Sequence, residues 1–87
     1  MPESPPAHEL KTWPEYFRPA YSGRKTFERR KADRDYKVGD HVRLREFDPE
    51  DGEYTGRTMD VTIVYILDGP LAPRDGYVVF SIKRRDC

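Results

Sequence analysis

Gly23-Arg24-Lys25-Thr26-Phe27-Glu28-Arg29-Arg30-Lys31 is the stretch on which the reading of this chain turns. Glycine tolerates the left-handed backbone conformation that other residues avoid, so Gly23 reads as the end of a helix. Thr26 and Phe27, β-branched and aromatic, favour the pleated, half-buried surface of a strand. Side chains alternate across a strand, which puts Thr26, Glu28 and Arg30 on one face and Phe27 and Arg29 on the other. A hydroxyl, a carboxylate and a guanidinium in a row suit a polar binding pocket better than a dry core. The loop before them presents Lys25.

Outward from this stretch, alternation and turn signals organise the rest. His8-Glu9-Leu10-Lys11-Thr12 reads as a short first strand with Leu10 inward and Lys11 on the opposite face. Thr12 and Glu15 stand three apart around Pro14, the spacing of a capping box at a helix start. Trp13, Phe17 and Tyr21 recur every four residues, a stripe that reads as core. Pro19 removes a helical hydrogen bond and is expected to break or kink the helix near Arg18. Beyond Lys31 a polar loop closes in the Val38-Gly39-Asp40 turn. Val42 and Leu44 then alternate with His41, Arg43 and Arg45, which makes His41 a solvated strand residue and not a ligand. An acidic loop is expected from Phe47 to Gly56. Met59, Val61, Ile63, Tyr65 and Leu67 alternate along the next strand, whose far end is made apolar on both faces by Val64 and Ile66. Val78, Phe80 and Ile82 face inward on a last strand. The order is strand, broken helix, four strands. It predicts an α+β, mostly β fold: a small antiparallel β-barrel with one short broken helix over a cleft. Residues 1–7 are expected as a disordered tail, 8–83 as the single domain and 84–87 as a basic tail.

Composition limits what this domain can do. The chain has 87 residues, 36% apolar and 37% charged, with 13% aromatic, which fits a compact core built on a few large side chains. One cysteine, Cys87, forms no internal disulfide, and with His8 and His41 it makes a poor metal inventory. No metal and no cofactor are therefore expected. No apolar run approaches the roughly 20 residues that cross a bilayer, and no signal-peptide order opens the chain, so a soluble, cytoplasmic protein without membrane contact is expected. Formal net charge is zero, but residues 23–45 carry nine basic against four acidic side chains, +5, and residues 46–60 one against six, −5. Such segregation either presents a basic face to phosphate or neutralises itself across the fold.

Several blocks occur together: His8-Glu9-Leu10-Lys11, Trp13-Pro14, Gly23-x-Lys25-Thr26-x-Glu28-x-Arg30-Lys31, Val38-Gly39-Asp40, Leu44-Arg45-Glu46, Tyr54-Thr55-Gly56-Arg57 and Gly76-Tyr77-Val78-Val79. The set resembles a small bacterial and phage branch of the ASCH domains, a group similar to the PUA fold. The resemblance implies a β-barrel whose cleft, bordered by the helix and the Gly23 loop, binds RNA or a nucleotide. Some small relatives hydrolyse an acetylated cytidine. In those, a lysine matching Lys25 acts with a threonine, whose position Glu28 occupies here, and with a distant glutamate; others are described as ribonucleases.

Three functions follow. In a binding module for RNA, a nucleotide or a nucleoside, Lys25 and Arg30 would meet phosphate or a base edge. Glu28 would accept from an exocyclic amine, and Trp13 or Tyr54 would stack on an unpaired base. Lys11, Thr26 and Arg57, all within the shared blocks, complete that candidate set. In a hydrolase, Lys25 would be the base or nucleophile and Glu28 its proton relay. In a protein adaptor, the acidic 47–53 loop would be the contact. Glu28 and Arg30, two apart on one face, would equally form an ion pair inside the barrel.

Overall fold

The computed structural model describes residues 5–85; residues 1–4 of the expected tail and Asp86 and Cys87 at the far end lie outside the described residues. The elements run β1 (His8–Thr12), α1 (Pro14–Tyr21), β2 (Phe27–Lys31), β3 (His41–Asp48), β4 (Glu53–Ile66), a 3-10 turn (Gly69–Leu71) and β5 (Tyr77–Arg84). One strongly curled five-stranded sheet forms a half-barrel in the order β1-β3-β4-β5-β2. The expected mostly-β fold with a single helix is what the chain adopts. β1 runs parallel to β3, and the other neighbours are antiparallel.

The alternation read from the sequence builds the core. Leu10, Val42, Leu44, Met59, Val61, Ile63, Phe80 and Ile82 are buried on the concave face, and α1 closes over them with Phe17 and Ala20. Burying Phe17 completely is worth about 2–3 kcal/mol of apolar transfer.

Helix α1 departs from expectation in three respects. It is one continuous two-turn helix: in eight residues Pro19 interrupts only one interior hydrogen bond, so no break is forced. Its N-cap is Trp13, which makes no side-chain cap bond. Thr12 instead ends β1, its hydroxyl donating to the Leu10 carbonyl at 3.2 Å. The aromatic stripe is also only partly core, since Phe17 is buried while Trp13 and Tyr21 are exposed. An eight-residue helix on a curled sheet can bury only a narrow face, and Phe17 and Ala20 fill it.

The C-terminal end of α1 is as expected. Gly23, at φ +85°, follows the C-cap Ser22. The Gly23 N–H donates to Ala20 O at 3.1 Å and the Arg24 N–H to Pro19 O at 2.9 Å. These are the two bonds of a Schellman motif. The Lys25 N–H also donates to Pro19 O, at 3.0 Å, so the motif aims Lys25 directly.

Other differences lie in β3–β5. The expected acidic loop is a tight turn at 49–52, with β3 and β4 paired on either side of it. A bulge near Val64 shifts the β4–β5 register, so Ile63 pairs with Ile82 but Tyr65 with Ser81. The extra residue flips the pattern: Tyr65 is exposed and Ile66 packs on the core. β5 continues through Lys83 and Arg84, residues that the sequence leaves at the domain edge and in a tail. His41 is less solvated than expected, its ring lying 2.7 Å from Asp60 Oδ1. At the other end, the Ala7 N–H donates to His41 O at 2.8 Å, carrying order one residue ahead of β1.

Candidate functional site

β1 and β2 are the two ends of the sheet order, and curling brings them face to face. No backbone ladder joins them; Arg30 does. Its Nη1 donates to Lys11 O at 2.9 Å, its Nη2 to Thr12 Oγ1 at 2.8 Å and its Nε to Glu28 Oε1 at 2.9 Å. All three guanidinium nitrogens are engaged, two of them across the seam. A planar fork of fixed donors suits this clasp as a lysine could not.

Glu28 lies beneath the clasp and is only 2% exposed. A buried carboxylate is stable only when paired and hydrogen-bonded. Arg30 takes Oε1, and the Lys25 ammonium contacts Oε2. Schellman motif, loop and strand thus converge: the helix end aims Lys25, and the inward face of β2 supplies its partner.

Above this pair opens a cleft of about 650 Å³. Lys25, Glu28 and Arg30 form its floor, and Trp13, Tyr16 and Phe27 line it. These three rings are about half exposed, at 46%, 51% and 50%. A cavity of this size with aromatic walls and a few convergent polar groups has the anatomy of a small-molecule site. Beyond Arg30 a second groove of about 460 Å³ follows β2; both recesses are lined by Lys11, Arg29 and Arg30.

The structure therefore brings Lys11, Trp13, Lys25, Glu28 and Arg30 together at one cleft. It separates three other candidates from it. Thr26 lines a small recess behind the Gly23 loop. Tyr54 lines the second groove, where Arg45 stacks on its ring at 3.9 Å. Arg57 packs over the rings of Phe17 and Tyr21, at 5.5 and 5.0 Å from their centroids.

Arg57 belongs to a different construction. Between Arg45↔Thr58 and Phe47↔Tyr54, the residues 55–57 of β4 oppose Glu46 alone on β3, with Gly56 at φ +94° inside the bulge. Glu46 is 2% exposed; Thr55 donates to its Oε1 at 2.7 Å and Arg57 Nε stands 4.0 Å from the same atom. Its Oε2 is buried without a hydrogen bond among the described residues, with Arg18 Nε 3.7 Å away. The Tyr54-Thr55-Gly56-Arg57 block is thus a bulge wrapped around a buried carboxylate.

Sequence reasoning missed Thr12, Tyr16, Phe27 and Arg29 as cleft residues. Phe27 faces away from Glu28 by alternation, yet β2 is an edge strand and the cleft wraps round its edge. Glu46 was missed as well, although alternation carried the signal: Val42, Leu44 and Glu46 share one face of β3.

Electrostatics outside the cleft are local. Burial pushes the Asp40 and Asp60 carboxyls up, but hydrogen bonds and charge from His8 and Lys37, and from His41 and Arg43, outweigh it and leave both below the ordinary 3.8. Burial raises the Tyr36 phenol above 10, against the opposing charges of Arg34 and Arg30. Arg43 reaches Asp60 at 2.9 Å, so the basic and acidic segments do meet across the β3–β4 ladder. Among the described residues no cluster of three or more His, Cys, Asp or Glu side chains could hold a metal ion. Among the described residues no helix is long and apolar enough to cross a membrane.

No curated protein matches the chain. A family model described as a domain of unknown function (DUF3850) matches residues 7–82, a span holding every residue of the cleft and all of the sheet but the last two residues of β5. On that match, the chain belongs to the DUF3850 family.

Proposed function

We propose that the cleft binds an unpaired base of RNA or of a nucleotide, in the cytoplasm, in the manner expected of an ASCH-like, PUA-like barrel. The observation that carries this reading is the convergence of Trp13, Tyr16 and Phe27, all half exposed, on a floor holding the Lys25 ammonium. Flat apolar rings open to solvent offer a base a stacking surface worth about 1–3 kcal/mol. Lys25 adds a cation for a carbonyl oxygen or a phosphate. The other two floor residues have changed roles relative to the sequence reading. Both Glu28 oxygens and all three Arg30 nitrogens are already engaged, so these residues orient Lys25 and hold the seam. The Lys25 ammonium, with three donors and one contact to Glu28, keeps donors for a ligand, beside Lys11 on the same cleft.

A second reading, hydrolysis of a modified nucleoside, is favoured by one observation: the Lys25 ammonium and the Glu28 carboxylate touch beside the cleft, the two groups that a lysine–carboxylate hydrolase would bring together. The two readings share a site and differ in turnover.

Trp13 is the only tryptophan in the chain, so its fluorescence reports on the cleft alone. Titration with cytidine or uridine monophosphate is expected to quench it saturably, and Lys25→Ala is expected to weaken that binding about tenfold. Absence of any saturable change at millimolar nucleotide would refute the binding site. Release of cytidine from N4-acetylcytidine, abolished by Lys25→Ala, would select the hydrolase.

A further inference from the structure

The second groove starts where the cleft ends, on the far side of the Arg30 clasp, and follows β2 to Lys31 and the loop residue Arg34. Its cationic lining is Lys11, Arg29, Arg30, Lys31 and Arg34. Only Glu9 and Asp33 oppose these, a formal balance of +3 from five cations and two acids. Glu9 already faces Arg45 at 3.8 Å on its own side of the seam. Of the cations, Arg30 is consumed by the clasp, and Arg29 is held between Asp75 and the Tyr77 ring. That leaves Lys11, Lys31 and Arg34 to meet an anion. Lys11 rests its ammonium on the Phe47 ring at 4.2 Å, and Arg34 has only a 3.6 Å contact with its neighbour Asp33; both cations are exposed. The groove walls include the phenols of Tyr36 and Tyr54, groups that can donate to phosphate oxygens.

A free nucleoside would fill the first cleft and leave this groove facing water. A strand need not: Lys11, Arg29 and Arg30 line both recesses, so the backbone of a strand with one base in the cleft has a continuous basic path into the adjoining groove. We propose that the second groove carries the phosphodiester backbone of a single-stranded nucleic acid whose base occupies the cleft. The proposal rests on the base-binding reading and narrows it, from any nucleotide to a polynucleotide strand.

The test compares uridine with uridine and thymidine hexamers, rU6 and dT6, by Trp13 fluorescence across a salt series. Three phosphate contacts on a single strand predict a slope of log K against log salt of about −2, at about 0.7 per contact. The hexamers should bind at least about tenfold more tightly than uridine at low salt. In a Lys31→Gln/Arg34→Gln double variant the slope should fall to about −0.7 and most of the hexamer's advantage should vanish, with uridine binding unchanged. Both side chains are surface groups, and Lys31→Glu provides a second variant that should repel the hexamers outright. Equal gains for rU6 and dT6 assign the contact to the shared backbone, and a larger gain for rU6 adds the ribose hydroxyl. Saturable uridine binding with no hexamer advantage would overturn the groove and leave the cleft standing. A double variant with the original salt slope would overturn it too. No response to any of the three ligands would refute both readings.

Discussion

Glu28→Gln tests the floor of the cleft with the smallest possible change of shape. The amide keeps the volume but removes the charge, and turns one acceptor into a donor facing either Lys25 or Arg30. Removing one partner of a buried ion pair costs about 3–5 kcal/mol. The Lys25 and Arg30 side chains keep 18% and 21% of their exposure, and Arg30 retains Lys11 O and Thr12, so the expected loss is about 3 kcal/mol, the low end. For 87 residues at about 0.05–0.15 kcal/mol each, total stability is about 4–13 kcal/mol, so the loss is a large fraction of it. With a urea m-value of about 1–1.5 kcal/mol/M, the unfolding midpoint should fall by about 2–3 M. An internal control is Arg29→Gln, which breaks the Arg29–Asp75 pair, half exposed on both sides, and should cost less than about 1 kcal/mol. Equal, sub-1 kcal/mol losses in the two variants would refute the claim that a buried charge organises the site.

Gly23→Ala forces a Cβ into the left-handed region at φ +85° and should cost about 1 kcal/mol, read as a melting point roughly 4–8 °C lower. Because the same turn aims Lys25, the variant should also weaken nucleotide quenching of Trp13. Asp40 and Asp60 titrate below their ordinary 3.8 in the folded protein, so the stability they contribute is complete above that value and is lost as pH falls through their lower folded values. Asp60→Asn should therefore flatten the acid limb of a stability-against-pH curve below about pH 4, while lowering stability near neutrality.

Much of the strand pattern was legible because alternation is a local property. Val42 and Leu44, or Phe80 and Ile82, declare their face within a few residues. The Schellman turn was legible for the same reason, since one glycine after a helix is enough to signal it. What escaped the reading is non-local. The bulge at Val64 is an extra residue relative to β5, so it exists only in the pairing and turns Tyr65 outward against its own alternation. Thr12 fits a capping box, yet a guanidinium 18 residues further along recruits its hydroxyl. Arg57 sits in a block that resembles a binding motif, but the buried Glu46 claims that block as a bulge. For the site, the sequence placed Glu28 and Arg30 on one face of a strand, with Lys25 in the loop that leads into it. The Glu28–Arg30 ion pair was among its readings and is present, but Arg30's bonds to Lys11 O and Thr12 were out of reach, because they depend on β1 arriving on the far side of the seam.

The sheet order has a consequence for how the protein is made. β1 finds its partner in β3, and β2 waits for β5, so Glu28 pairs across to Phe80 only once residue 80 has been synthesised. At about 5–20 residues per second, β2 stays an unpaired, strongly charged segment for several seconds while the rest of the sheet emerges. Its composition, one phenylalanine among a glutamate, two arginines and a lysine, keeps that waiting strand from pairing with strangers. The cleft, built from residues 11–30, is consequently closed only after β5 has been made.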